Sequence, residues 1–190
     1  MDRYLQFSEY IDFDHPDVSA KAQELAVSVK DKTEVAKRCF EFVRDEIRHS
    51  NDYLVSKISV KASEVLSLKA GICYPKSHLL AALLRANQIP TALQYQRLED
   101  GEGRYCLHGL NAIWLEEYSL WYRVDARGNK EGVKAEFIPP IECLAFDVSS
   151  EGELDSNRRF SEPLQVVVNS LCRAKNTEEL SVCLPDSIQI

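Results

Sequence analysis

The sequence predicts an α+β fold in which helices come first and an antiparallel sheet follows. Three observations carry this. Apolar residues recur at helical spacing over 16–29, 33–47 and 73–87. They then alternate with polar ones over 91–97, 107–115 and 120–124. The last two alternating runs are separated only by Glu116-Glu117-Tyr118-Ser119, which reads as a hairpin turn. Helical runs followed by strand runs, rather than alternating with them, favour α+β over a doubly wound sheet.

Each element has a local reason. Residues 3–13 alternate imperfectly through Tyr4, Gln6, Phe7, Tyr10, Ile11 and Phe13, the pattern of an edge strand. His15 is placed to cap a helix whose first turn contains Pro16, and Val18, Ala22, Leu25, Ala26 and Val29 share one of its faces. Thr33 reads as the cap of the next helix, where Ala36, Phe40, Val43 and Ile47 recur. The polar run His49-Ser50-Asn51-Asp52 ends it, with His49 suited to the negative end of the helix dipole. A short helix is expected over 62–68. In the next, Leu79, Leu80, Leu83 and Leu84 form the stripe, and Pro90 forbids continuation past Asn87. Residues 149–156 read as a loop, and 163–175 and 177–184 as two short helices. The chain thus reads as a single domain over 1–190. Its core lies at about 14–146, and 147–190 forms a C-terminal loop and helices that pack back.

The chain has 190 residues, 45% hydrophobic and 28% charged, an ordinary globular balance. Its net charge of -7, from 23 basic and 30 acidic residues, argues against nucleic acid or an anionic membrane surface as a partner. No stretch is apolar for long enough to span a bilayer, and residues 1–17 carry acids without a continuous apolar run, unlike a signal peptide. The six cysteines are widely spaced. Without a secretion signal the expectation is a cytoplasmic protein with reduced thiols.

Cys73 is placed unusually. Gly71 precedes it, and Pro75, tolerated only in a first turn, fixes the helix start from the other side. The first turn of a helix presents unpaired N–H groups and a partial positive charge, which stabilise a thiolate. A nucleophilic cysteine needs a base, and the base a third group to hold it. His78 lies five positions after Cys73 on the same helix, rotated away from it. His108 begins a strand and Asp125 ends the neighbouring one. If the strands pair about the 116–119 turn, facing positions sum to about 235, so the two side chains reach each other diagonally on one face. Taken singly, Cys73 fits a buried small hydrophobe, His108 a strand-edge residue and Asp125 a turn residue. Together they form a Cys-His-Asp constellation. A zinc site of Cys73, His78, Cys106 and His108 fits no ligand spacing, so no metal and no cofactor is expected.

These stretches, GICYPKSHLLAALLRANQIP, LHGLNAIWL and RVDARGNK, resemble the transglutaminase-like superfamily of papain-fold cysteine enzymes. The resemblance rests on Gly71, Cys73, Leu84, Arg85, Ala86, Ile89, Pro90, His108 and Asp125, and is strongest over 62–130. It implies a helix-borne nucleophile packed on an antiparallel sheet, with Cys73 as nucleophile, His108 as base and then acid, and Asp125 as orienter. Two departures stand out. Tyr74 and Pro75 follow the cysteine, and the tryptophan that usually follows the histidine closely is Trp114, six residues on.

The chemistry so implied is acyl transfer through a thioester, on a peptide or small amide substrate. One oxyanion donor is the Cys73 backbone N–H, and Asn51 or Tyr53 is a candidate for the second. Arg127, Asn129 and Lys130 are placed either to bind a substrate carboxylate at the rim or to form a solvated turn. Hydrolysis by a peptidase or amidase is the first reading. Transamidation of protein glutamine is the alternative, and a catalytically silent interaction module is another.

Overall fold

The computed structural model describes residues 1–187. After a 3-10 turn at Asp2–Tyr4, the chain order is α1 (Pro16–Ala26), α2 (Lys32–Glu41), β1 (Arg48–His49), α3 (Ala62–Leu68), β2 (Ala70–Gly71), α4 (Cys73–Ala86), β3 (Thr91–Glu99), β4 (Tyr105–Leu115), β5 (Leu120–Val124), β6 (Glu136–Ile138), β7 (Ile141–Cys143), β8 (Leu154–Asp155), α5 (Gln165–Arg173) and α6 (Thr177–Val182). The main sheet is antiparallel in the order β5-β4-β3-β8. β1 and β2 form a short parallel pair, and β6 and β7 a separate hairpin.

α4 is the helix on which the rest is assembled. Every residue from Tyr74 to Arg85 is buried, which suits a helix apolar on nearly all sides. It packs against α1, α2, α3, β3 and β4. Near its C-terminus the buried Arg85 guanidinium has no ion-pair partner among the described residues and is satisfied by carbonyls instead. It donates to Thr91 O at 3.0 and 2.8 Å, Gln6 O at 2.8 Å and Ser161 O at 2.8 Å. One side chain thereby fastens the N-terminal segment and the segment before α5 to the end of α4.

The helices and the three long strands fall close to where the sequence predicts them, α1 stopping at Ala26 short of Val29, and the β4–β5 register pairs Asn111 with Val124, a sum of 235. Four local expectations do not hold. Residues 3–13 form no strand. Their apolar side chains are used one at a time, Tyr4 against Trp121 with ring centroids 5.0 Å apart and Ile11 in the core. The backbone there bonds to α3 and to Arg85, as in Ala62 N–H to Tyr10 O at 3.0 Å. The cap of α2 is Asp31, whose carboxylate accepts from Thr33 N at 2.9 Å, because the helix begins two residues before the predicted point. α2 itself stops at Glu41 and passes into a wider π-helical turn, Phe42–Glu46, that still buries Val43. Within 149–156, Leu154–Asp155 pairs with the edge of β3 instead of remaining loop. The C-terminal helices occupy 165–173 and 177–182, and the last three residues of the segment expected to pack back lie outside the described ones.

Candidate active site

Cys73 opens α4. Ile72 before it is extended and no side chain caps the terminus, so the N–H groups of the first turn are uncapped beside the thiol. Three contacts fix that terminus, two of them to the sheet. The Tyr74 hydroxyl donates to Leu107 O, Asn111 Nδ2 donates to Ser77 O at 3.0 Å, and Lys76 Nζ donates to Ile47 O. The approach is close enough to require glycine opposite: a Cβ on Gly109 would lie 2.8 Å from Tyr74 Cδ1. Tyr74, a departure from the usual pattern, is therefore what pins the cysteine's turn to the strand carrying His108.

His108 and Asp125 meet across the hairpin as the register requires. His108 Nε2 lies 2.6 Å from Asp125 Oδ2, and both side chains are buried. Asp125 Oδ1 accepts from Arg127 N at 3.0 Å, so both carboxylate oxygens are engaged. Burial alone would lower the His108 pKa. The Asp125 charge and the adjacent Cys73, by charge and hydrogen bonding, outweigh it and push the imidazolium up to about 10. Burial would likewise raise the Asp125 carboxyl, but His108 and neighbouring backbone N–H groups hold it below the usual range. Phe146 covers the ring edge-on at 5.0 Å.

Cys73 and His108 open into one cavity of about 500 Å³, lined also by His49, Asn51, Arg127 and Cys106, and by Ser181 and Leu184 from the C-terminal segment. Of the four further candidates, only Asn51 and Arg127 line it. Tyr53 is 63% exposed, with the Arg48 guanidinium 5.4 Å from its ring centroid, and takes no part in the cavity wall. Arg127 is neither a solvated turn residue nor a free anion clamp. It is 8% exposed and its guanidinium is spent on Asp52, at 2.6 and 3.0 Å. Asn129 closes its own loop: Oδ1 accepts from Ala135 N at 2.8 Å and Nδ2 donates to Ala135 O at 3.3 Å. Lys130 pairs with Asp52 at 2.8 Å. His78 is turned into the core, its Nδ1 2.8 Å from Val60 O.

The model of the transglutaminase-like superfamily matches residues 19–126, from α1 to just past Asp125. The chain belongs to that superfamily. No curated protein matches it. Among solved structures, this transglutaminase-like chain is similar to a candidate cysteine protease from Cytophaga hutchinsonii, at 17% identity and a TM-score of 0.53 over 65% of this chain and 40% of that one. It is also similar to the periplasmic domain of TgpA from Pseudomonas aeruginosa, at 19% identity and TM-score 0.49 over 65% and 45%. A third match, to a candidate protease from Parabacteroides distasonis, has 13% identity and TM-score 0.46 over 72% and 26%. The chain spans less than half the length of each. At these identities the first likeness establishes the fold: mixed helix and sheet with an antiparallel, papain-like core.

Sequence reasoning misplaced one residue of this cavity. His49 is not at a helix end. It lies in β1 beside Gly71 of β2, 8% exposed, with Nδ1 3.8 Å from Asp52 Oδ2. Burial, and next the positive charge of Arg127, push its pKa down to about 3, so it is neutral. A signal was present: Ile47 and His49 are two apart, and in extended chain they share a face, so a buried Ile47 brings His49 inward with it.

Proposed function

We propose that this chain is a thiol acyl-transfer enzyme, acting as a cysteine peptidase or amidase on an amide bond. The observation that carries the reading is the His108 imidazole, held at 2.6 Å by a fully buried carboxylate and opening into the same cavity as the Cys73 thiol. The Cys73 thiolate attacks the amide carbon. The oxyanion is received by the Cys73 N–H at the uncapped helix start and by Asn51, whose Oδ1 accepts from Ser181 Oγ at 3.5 Å and whose Nδ2 is left as donor. The His108 imidazolium gives its proton to the leaving nitrogen as the C–N bond breaks, leaving a thioester. Neutral His108 then takes a proton from water, the hydroxyl displaces Cys73, and the acid departs with the thiolate–imidazolium pair restored. A primary amine in place of water would make the same site a transamidase, the reaction for which the superfamily is named. The six cysteines are all free, which suits a reducing compartment such as the cytoplasm.

Iodoacetamide at mildly acidic pH tests this. Cys73 is expected to be alkylated well ahead of the other five thiols. Cys106 is the internal control: it lines the same cavity, but burial and the neighbouring Cys73 push its pKa up to about 11. A Cys73→Ala chain is expected to lose cleavage of a glutamine-containing peptide panel. Uniform labelling of all six thiols, or cleavage by Cys73→Ala, overturns the proposal.

A further inference from the structure

α6 lies outside the residues matched by the superfamily model, yet it forms part of the wall of the catalytic cavity. It is fastened to the segment after β1 at its N-terminus, where Thr177 N donates to Ser56 O at 3.0 Å and Thr177 Oγ1 to Val55 O at 2.7 Å. Between α6 and that segment runs a second cavity of about 470 Å³, its walls formed by Leu54, Val55, Thr177 and Val182. Asn51 and Ser181 line both cavities, so the groove borders the one containing Cys73. Glu178 is its one ionisable side chain among the described residues.

Two features distinguish this groove from an ordinary surface crease. Leu54 is 90% exposed and Val182 70%, which makes them the two most exposed large apolar side chains among the described residues. Leu54 is also held at φ 53°, the left-handed region that a branched side chain disfavours. The chain therefore adopts a disfavoured backbone to present an apolar side chain to water beside its catalytic cavity, and strain of this kind gathers at ligand sites.

We propose that the groove is an acyl-side subsite that takes an aliphatic side chain of the substrate, so that the substrates are amides whose acyl portion is apolar. The inference rests on the proposed chemistry at Cys73. The leaving amine must sit by His108 on β4 to receive its proton, and no strand of the main sheet contributes to the groove, so the groove falls to the acyl side. Volume and lining fit one such side chain with its neighbouring backbone.

The test uses two thiol-reactive peptidyl vinyl sulfones that differ only in the residue on the acyl side, leucine or aspartate. Cys73 of the natural chain is expected to react about 10- to 100-fold faster with the leucine probe, the discrimination an apolar pocket supplies. Leu54→Glu and Val182→Glu, both at exposed positions, are each expected to bring the ratio close to one. Ile141→Glu, 67% exposed on β7 and outside both cavities, keeps it. A reactive Cys73 with no preference overturns the subsite alone, as does a preference that survives both groove substitutions. A Val182→Glu chain that merely dissociates a dimer while keeping its ratio overturns it too, because the groove would then be covered by a second copy. A Cys73 inert to iodoacetamide and to both probes overturns the subsite and the catalytic reading together.

Discussion

His108 and His49 line the same cavity, each has an aspartate close by, and they are pushed in opposite directions, to about 10 and about 3. Burial penalises both imidazolium forms, so burial does not separate them. The aspartates do. Asp125 sits 2.6 Å from His108, whose charge and hydrogen bond lead the effects that hold its carboxyl down. Asp52 stands 3.8 Å from His49 with its charge already committed to Arg127 and Lys130, which hold its carboxyl far below the usual range against the effect of burial. Arg127 also faces His49 directly as a positive charge. A nearby carboxylate charges a histidine only when no stronger cation has claimed it first.

The stability consequences have opposite signs. The folded pKa of His108 is raised above its ordinary 6.5, so its contribution is fully present below about pH 6.5 and is lost as pH rises through about 10. The folded pKa of His49 is depressed from the same ordinary value. The unfolded chain therefore binds more protons between pH 6.5 and about 3, and His49 withdraws stability as pH falls through that window.

The sharpest way to break the comparison is Asp125→Asn, which removes one carboxylate charge with little change of shape. Acyl transfer is expected to fall by about 10⁴-fold in steady-state kinetics, the scale set by loss of an orienting carboxylate. The His108 pKa should drop from about 10 in an NMR titration, and the loss of stability between pH 7 and 10 should flatten. Activity within tenfold of the natural chain would mean that the pair only holds the hairpin together. Arg127→Met works on the other histidine. It removes the cation facing His49 and leaves Asp52 to Lys130 alone, so the His49 pKa should climb from about 3, while urea denaturation records a loss of about 2 kcal/mol for the two charge-assisted hydrogen bonds broken. A His49 that fails to move would assign its depression to burial alone. The smallest effect belongs to Asn129→Ala, expected to cost about 1 kcal/mol by opening the Ala135 turn and to leave the alkylation rate of Cys73 as it was. A slower Cys73 would return Asn129 to the site.

How much of this was legible before any coordinates depended on how far each feature reaches along the chain. The His108–Asp125 contact spans seventeen positions but follows from one turn, because a four-residue connection sets the register and the register sets the diagonal. The start of α4 was legible because Gly71 and Pro75 bracket it. The Thr33 cap failed by two residues, since Asp31 is an equally good cap and nothing local ranks them. Residues 3–13 failed because alternation implies a strand only where a partner edge is free, and here the backbone was claimed by α3 and Arg85. The roles of Arg127 and Tyr53 were illegible because they turn on Asp52 and Arg48, whose positions local pattern does not specify.

By itself the sequence determined the succession of helices and strands, the thiol at a helix start and the imidazole–carboxylate diagonal. All three follow from proline geometry, side-chain period and turn length, which act over a few residues. The tertiary structure decided which aspartate charges its histidine, which arginine is spent on an ion pair, and which C-terminal helix walls the cavity. Those depend on what arrives from 75 and 130 positions away, and charge and burial are properties of the assembled surroundings, not of any one stretch of chain.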